Sequence, residues 1–272
     1  MNDDVRLDIK QLVAERFPGE QIPGFLIHLL AKILRQDAIN ELFIQAQGKT
    51  GLNFVDVCVG HLNFLCNVKG EENLPSGDDP LIFVCNHPQG GVEAICLASF
   101  LGHKYNGKIR LYANEMLSIL HPLNELFLPI YKHGAQSREN LCAIKSFYET
   151  DNHLIVFPAG VTAHKFRGKI VDNEWHKHFI KSAVHNKRDV VPLYFQARNS
   201  DFFYFIENFR RRIHAKINFE VILFANEFFK QKGNTFNLYI GKPIPWETFD
   251  QTRSPQEWAK WVREYVFNLS SH

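Results

Sequence analysis

Residues 81–93 read LIFVCNHPQGGVE, an apolar run that stops at Asn86-His87-Pro88 and is followed by a pair of glycines. A short, uninterrupted apolar run bounded by proline and glycine is typical of a strand that is buried on both faces of a sheet. Residues 92–101 then change to the apolar spacing of a helix. A buried strand, a polar turn and a helix are the first part of an α/β unit.

The same pattern recurs further along the chain. Residues 153–160 (HLIVFPAG) and 189–197 (DVVPLYFQA) are again apolar runs that meet a proline or a polar turn. Further strands are predicted at 107–113, 219–225 and 236–244, and further helices at 137–149, 202–213 and 255–269. Strands that alternate with helices predict an α/β fold with a largely parallel or mixed central sheet flanked by helices. Loops at the carboxyl ends of such strands commonly build the functional site.

The first part of the chain has a different pattern. Residues 1–70 are predicted to form a helical segment, and residues 71–272 the α/β domain. Within 23–47, apolar side chains recur every three or four positions, as in an amphipathic helix. Lys32 and Arg35 interrupt the apolar stripe, so the helix can lie in a membrane interface but cannot span a bilayer. The alternatives are a membrane-surface helix, or helical hairpin with the residues up to Val68, and a helix that only covers the α/β domain.

The composition excludes some classes of protein. The 272 residues are 45% hydrophobic and carry a net charge of +2, which excludes a disordered chain and gives no general attraction to nucleic acid. Phenylalanine is unusually frequent, with 24 residues against 2 methionines. Many of these rings must be core, and a share is expected to line an apolar groove or to face lipid.

Cysteines and the amino terminus indicate the compartment. The five cysteines have neither metal-ligand spacing nor the pattern of a disulfide framework, which favours a reducing environment. The first ten residues, MNDDVRLDIK, are too acidic and polar for a signal peptide. No run approaches the 18 or so apolar residues that a membrane span requires. We therefore expect a cytoplasmic protein, peripheral on the inner face of the cell membrane.

His87 and Glu93 are the residues best placed for chemistry. A histidine just after a buried strand, before glycines that let the chain turn, is well positioned to transfer protons. Glu93, in the first turn of the next helix, can fold back onto the imidazole and fix its tautomer. Backbone amides of Gly90 and Gly91 are candidates to stabilise an oxyanion. The alternative is that His87 caps a helix and Glu93 is an ordinary first-turn acid.

The pattern Asn-His-Pro-x-Gly-Gly-x-acid resembles the first signature block of the glycerolipid acyltransferases of the lysophosphatidic acid acyltransferase type. It is most similar to a bacterial branch labelled haemolysin-like or lipoamino-acid O-acyltransferase, in which five residues separate the histidine from the acid, as here. The resemblance covers about residues 81–261. It implies that His87, oriented by Glu93, moves a fatty acyl group to a hydroxyl of a lysophospholipid or an N-acyl amino acid lipid. The donor would be acyl-carrier protein or acyl-CoA, with no further cofactor.

Other blocks of the family supply candidate substrate contacts. In the second block, residues 128–140, the resemblance assigns Lys132 and Arg138 to the anionic group of the acceptor. The third block, Phe-Pro-Ala-Gly, ends at Gly160. Lys165 and Arg167 follow it and are candidates for the same anion contact.

In the fourth block, the resemblance gives Pro192 a part in shaping the substrate groove, and the alternative is an ordinary strand-edge proline. Two positions depart from the family pattern. Glu93 stands where the family usually has Asp, and Val161 stands where the branch usually has Glu. A non-catalytic lipid-binding relative is therefore the alternative function. A pore-forming haemolysin is not favoured, because neither a secretion signal nor a spanning segment is predicted.

Three remaining features carry less information. His176 and His178 have metal-ligand spacing, but no third ligand accompanies them, so no metal is expected. No Walker-type loop or dinucleotide fingerprint occurs, so neither ATP nor NAD is expected. Arg210, Arg211 and Arg212 follow an aromatic stretch, and this cluster is either a contact for anionic lipid headgroups or a solvated helix end.

Overall fold

The computed structural model describes residues 6–77, 79–114, 117, 120–130, 138–213 and 223–271. In chain order the strands are β1 Leu65–Lys69, β2 Ile82–Cys85, β3 Ile109–Asn114, β4 Phe127–Ile130, β5 His153–Val156, β6 His164–Phe166, β7 Lys169–Val171, β8 Val190–Gln196 and β9 Thr235–Ile240. The helices are α1 Ile9–Arg16, α2 Gly24–Ile33, α3 Gln36–Ala46, α4 Gly51–Leu62, α5 Val92–Lys104, α6 Arg138–Tyr148, α7 His178–Asn186, α8 Asp201–Arg212, α9 Phe224–Lys230 and α10 Pro255–Asn268.

The central sheet of the described residues has the strand order β1-β9-β8-β2-β5-β3-β4. Its neighbouring strands are parallel except for the antiparallel pair β8 and β9. Strands β6 and β7 form a separate antiparallel hairpin. The predicted α/β class with a largely parallel, mixed sheet is confirmed.

Strand β2 explains why its sequence is apolar without interruption. It lies in the middle of the sheet, between β8 and β5, and all four of its residues are buried. Phe83 and Cys85 face the layer that contains α4 and α5, whereas Ile82 and Val84 face the layer of α7 and α10. A strand covered on both faces needs apolar side chains at every position.

Arg188 binds the backbone carbonyls at the C-terminal end of α6. It is 1% exposed, and its guanidinium donates hydrogen bonds to the backbone oxygens of Tyr148, Thr150 and Asn152 at 3.0, 2.8 and 2.7 Å. The carbonyls at a helix C-terminus have no partner within the helix, and a cation is favoured there. The buried charge is therefore satisfied, and the segment leading into β5 is held in place.

The described end of one expected strand is helical. Residues 219–225 were expected to be a strand, but α9 begins at Phe224, and residues 214–222 lie outside the described part. A short apolar run does not distinguish a buried helix from a strand by its pattern alone. Here Glu227 is buried and accepts hydrogen bonds from the backbone N–H and the hydroxyl of Ser200. That contact ties α9 to the start of α8.

The amino-terminal segment is helical, with two differences from the expectation. The stretch 23–47 is divided into α2 and α3 at Arg35, whose φ of 56° lies in the left-handed region. Residues 65–69 form β1, which pairs with β9, so the end of the expected helical segment belongs to the central sheet. An edge strand of half-exposed residues lacks the apolar run that marks β2. Among the described helices, none combines the length and apolarity needed to cross a membrane.

Candidate active site

Asn86 fixes the start of the loop that leaves β2. Its side chain accepts a hydrogen bond from the N–H of Phe195 at 2.7 Å and donates one to the carbonyl of Phe195 at 2.9 Å. The side-chain amide thus takes the place of a backbone amide in the pairing with β8. Because both partners are buried, this pair holds the next residue, His87, at the carboxyl edge of the sheet.

His87 and Glu93 form the pair that the loop sequence predicts. His87 Nδ1 lies 2.8 Å from Glu93 Oε1, and the side chains are 17% and 0% exposed. A carboxylate only accepts hydrogen bonds, so this partner favours the tautomer that has the proton on Nδ1. The ring of His87 also stacks on Phe157, with centroids 4.5 Å apart. The carboxylate and the Phe157 ring therefore hold the imidazole in one orientation.

Glu93 is held ionised although it is buried. Burial acts to raise the pKa of this carboxyl, but the hydrogen bond and charge of His87 and the N–H of Gly90 outweigh it and lower the pKa below the usual 4.5. Oε1 accepts from the backbone N–H of Gln89 at 3.0 Å and of Gly90 at 2.8 Å. The carboxylate therefore closes the loop as well as orienting the imidazole.

The two glycines have different positions in this loop. Gly90 has a φ of 97°, and a Cβ there would lie 2.9 Å from the Thr162 methyl group, so only glycine fits. Its N–H already donates to Glu93, which corrects the expectation that this amide is free to stabilise an oxyanion. Gly91 is the N-cap residue of α5 and stays a candidate for that role.

The Phe-Pro-Ala-Gly turn forms the opposite wall of the site. Gly160 has a φ of 66°, and its N–H donates to the carbonyl of Phe157 at 3.0 Å. Ala163 then donates its N–H to the carbonyl of His87 at 2.8 Å. The turn after β5 and the loop after β2 are thus joined directly, as expected for neighbouring parallel strands.

Asp172 is a second buried carboxyl near the imidazole, and it was not predicted. It lies just after β7, is 3% exposed, and accepts a hydrogen bond from Trp175 Nε1 at 2.9 Å. Burial raises its pKa, while the Trp175 hydrogen bond and the nearby charge and backbone N–H of His87 act to lower it. The next residue, Asn173, donates to the carbonyl of Thr162 at 3.3 Å, which places the end of the hairpin against the site.

Gln89 and Asn199 also belong to the site and were not predicted. Gln89 Nε2 donates to the carbonyl of Arg198 at 2.8 Å, and Asn199 Nδ2 contacts the carbonyl of Pro88 at 3.5 Å. Both side chains are buried. They bind the loop after β8 to the His87 loop, so three loops meet at this edge of the sheet.

The expected anion contacts are more scattered. Lys165 forms an ion pair with Asp201 at 2.8 Å, and Arg167 is exposed at the tip of the β6–β7 hairpin. Arg138 is exposed at the start of α6, and Lys132 lies outside the described residues. None of the three described cations is brought next to His87 by a hydrogen bond or ion pair that the structure shows.

Pro192 is not at the end of its strand. It is the third residue of β8 and pairs with Val84. Its ring packs closely on Gly241, where an added Cβ would lie 2.8 Å from the proline Cγ. The residue therefore faces the α10 layer inside a central strand, so the alternative of a strand-edge proline is wrong. Among the described residues, no group of three His, Cys, Asp or Glu side chains is arranged to hold a metal ion.

A buried histidine–carboxylate pair at the carboxyl edge of a mixed α/β sheet is an arrangement that can accept and return a proton during a reaction. The sequence model of the acyltransferase family matches residues 11–272, and the chain belongs to this family. The resemblance inferred from the His87 block is thereby confirmed, and so is the acyltransferase class.

Named relatives cover nearly the whole chain. A lyso-glycine lipid O-acyltransferase of Phocaeicola vulgatus is 39% identical over 266 residues, 98% of this chain and 94% of that protein. A lyso-glycine lipid O-acyltransferase of Bacteroides thetaiotaomicron is 37% identical over 273 residues, 99% of this chain and all of that protein. The crystal structure of a 1-acyl-sn-glycerophosphate acyltransferase from Thermotoga maritima is 16% identical, with a TM-score of 0.49 over 90% of this chain and 96% of its own.

Proposed function

We propose that this protein transfers a fatty acyl group from a thioester to the hydroxyl of a lysolipid built on an N-acylated amino acid, with lyso-glycine lipid as the first candidate. The observation that carries the proposal is the 2.8 Å contact between His87 Nδ1 and the fully buried Glu93. Similarity to two lyso-glycine lipid O-acyltransferases over almost the full length favours this acceptor over a lysophospholipid.

The proposed chemistry is direct transfer. Nε2 of His87 removes the proton from the acceptor hydroxyl as its oxygen attacks the thioester carbonyl. The attack forms the new C–O bond and gives a tetrahedral intermediate. Its collapse restores the carbonyl and breaks the C–S bond, and the imidazolium passes its proton to the leaving thiolate. Glu93 stabilises the imidazolium between these steps, because the negative charge lies in contact with Nδ1. The thioester donor is acyl-carrier protein or acyl-CoA.

The acceptor's carboxylate needs a positive partner near the site. Lys165 and Arg167 are the described candidates, on the hairpin whose end carries Asp172. Lys165 forms an ion pair with Asp201. An exposed ion pair contributes only about 1 kcal/mol or less to stability, so Lys165 can leave Asp201 and bind a substrate carboxylate instead. Val161 adjoins Gly160 and can neither carry charge nor accept a hydrogen bond, so the anion contact is assigned to Lys165 and Arg167, which follow it in the sequence.

The place of action proposed is the inner face of the cell membrane. The acceptor is a lipid, and the thioester donors are water-soluble, so transfer occurs where the two meet. The exposed apolar side chains of α2, Phe25, Leu26 and Leu29, support contact with a bilayer surface.

The test is an acyl-transfer assay with purified protein. Palmitoyl-CoA and palmitoyl-carrier protein are each offered with lyso-glycine lipid, other lyso-amino-acid lipids and lysophosphatidic acid, and products are identified by mass spectrometry. We expect diacylated glycine lipid, and a loss of at least about 100-fold in kcat for His87→Ala with unchanged thermal stability. His185→Ala, at an exposed histidine on α7, serves as the control.

Two outcomes would contradict the proposal. His87→Ala activity within about tenfold of the wild type removes the general-base assignment. Binding of lyso-glycine lipid without turnover by any donor would instead indicate a non-catalytic lipid-binding relative. Glu93 does not by itself favour that alternative, because its longer side chain reaches the imidazole.

A further inference from the structure

Helix α8 has an aromatic face that is about half exposed in the described structure. Its buried side is formed by Phe203, Tyr204 and Glu207. The other side has large apolar side chains that are 56%, 64%, 49% and 52% exposed, in the order Phe202, Phe205, Phe209 and Ile213. These positions recur every three or four residues, so they form one stripe about 16 Å long. Such a stripe is too large to be ordinary scatter of exposed apolar residues.

The β6–β7 hairpin extends this stripe with another aromatic residue. Phe166 is 57% exposed, and the guanidinium of Arg167 lies over its ring at 5.2 Å. The hairpin is tied to the first residue of α8 by the ion pair of Lys165 with Asp201 at 2.8 Å. We call the four apolar residues of the stripe, together with Phe166, the α8 surface.

The charges beside the α8 surface are predominantly positive. Arg211 and Arg212 are exposed in the last turn of α8, and Arg167 and Lys169 are exposed in the hairpin. The carboxylates of α8 are already engaged: Glu207 is buried and pairs with Arg211, and Asp201 pairs with Lys165. Aromatic side chains flanked by arginine are the composition of an element that lies in the headgroup region of an anionic membrane.

The loop that leads into α8 contacts the catalytic loop directly. Gln89 donates to the carbonyl of Arg198, Asn199 contacts the carbonyl of Pro88, and Ser200 caps α8 by accepting from Phe203 N–H. Phe202, the first residue of the α8 surface, is thus only three positions after Asn199, which contacts Pro88 next to His87. A lipid layer that covers this surface would also cover the rim of the active site.

From this arrangement we propose that the α8 surface is a second lipid-contacting surface, separate from α2, which seats the rim of the active site on an anionic bilayer. The proposal rests on the proposed function for the nature of the acceptor. A lipid layer is favoured over an acidic carrier protein because the surface is a long apolar stripe with cations only at its ends. A bilayer can receive all five side chains at once, and each buried ring adds to the free energy of partition.

The test compares vesicle partition with turnover. Phe205→Ser/Phe209→Ser is compared with wild type and with Leu65→Ser, which removes a 52% exposed side chain from the edge strand β1. Partition into vesicles of 30% phosphatidylglycerol is measured by co-sedimentation. We expect at least about tenfold weaker partition for the double variant and no change for Leu65→Ser. Turnover of a short-chain acceptor below its micellar concentration should be unchanged in both variants.

A charge variant keeps the proposal testable if the aromatic variant does not fold. Lys169→Gln/Arg212→Gln should weaken partition into the same vesicles, and the difference from wild type should vanish in 0.5 M salt or in neutral phosphatidylcholine vesicles. Unchanged partition of both double variants overturns the proposal. If partition is unchanged and only turnover with the carrier-protein donor is slower, the α8 surface binds that donor. This result also overturns the proposal. Vesicle partition is measured without turnover, so the test of the α8 surface does not depend on whether the proposed activity is correct.

Discussion

The extra methylene of Glu93 determines how the active-site loop is closed. A single oxygen, Oε1, contacts His87 Nδ1 and receives the N–H groups of Gln89 and Gly90. An aspartate at this position would end about 1.5 Å short of these groups unless α5 moved toward the loop. On this backbone the longer side chain of glutamate is needed to reach the imidazole. Glu93 can therefore take the place of the aspartate that the family pattern has at this position.

For Glu93→Gln we expect kcat to fall by about 10²–10⁴-fold with KM nearly unchanged. The amide oxygen can still accept the N–H of Gln89 and of Gly90, so the loop keeps its shape, but no negative charge remains to stabilise the imidazolium. Steady-state kinetics and thermal unfolding of the variant measure the two effects separately. Wild-type activity in this variant would show that Glu93 is only a first-turn acid that holds the loop.

Asp172 is expected to act on His87 through its charge. In Asp172→Asn the amide oxygen can still accept from Trp175 Nε1, so the melting temperature should change little. One negative charge near the imidazole is lost, which disfavours the imidazolium. Where Asp172 is ionised, the acidic limb of the pH profile of kcat/KM should therefore move to lower pH. A limb that stays in place, with activity unchanged, would restrict Asp172 to a structural role.

Strand β5 begins with a histidine that should make the fold sensitive to acid. His153 is 3% exposed, accepts a hydrogen bond from the N–H of Leu81 at 3.1 Å, and contacts the ring of Tyr105. Burial, and then the charge of Arg188, lower its pKa from 6.5 to about 4. Between pH 6.5 and 4, His153 is protonated in the unfolded chain but stays neutral in the folded chain. The resulting stability is complete above pH 6.5 and is lost as pH falls toward 4.

The loss of unfolding free energy attributable to His153 should reach about 3 kcal/mol between pH 6.5 and 4. Urea unfolding at several pH values measures it. His153→Gln keeps an acceptor for the Leu81 N–H and removes the titration, so its unfolding free energy should vary less over this range. If wild type and variant lose stability equally, another group is responsible for the acid sensitivity.

At the scale of elements, patterns that depend on burial were predictable and those that depend on partners were not. Strands β2, β5 and β8 are apolar throughout because layers cover both faces, and each was predicted. The β6–β7 hairpin was not, since its turn at Arg167-Gly168 interrupts two strands of only three residues. Asp172 follows this hairpin, so no apolar run in the sequence marks its position, whereas His87 follows the apolar run of β2.

For the whole molecule, the proposed membrane contact depends on how helix α2 is exposed. Helix α2 has no buried residue, and it meets α1 along a shallow apolar groove of about 290 Å³. Phe25 and Leu29 on α2 are 71% and 50% exposed. A helix that only covered the α/β domain would bury one side, so the exposed stripe favours the membrane-surface alternative. At the other end of α2, Arg35 lies over the ring of Phe229 in α9.

We therefore expect wild-type protein to co-sediment with anionic vesicles and Phe25→Glu/Leu29→Glu to partition into them more weakly, with the remaining binding due to the α8 surface. Two carboxylates would be forced into the headgroup region, where charge is repelled and apolar contact is lost. Val184→Glu, at a 39% exposed position on α7, is the matched control and should sediment like wild type. Transfer to vesicle-embedded acceptor should fall with partition, whereas transfer to a short-chain acceptor should persist. A folded, active wild type that remains in the supernatant would contradict peripheral attachment. Without such attachment the acceptor would have to leave the bilayer, at a cost of roughly 0.8 kcal/mol for each CH₂ exposed to water.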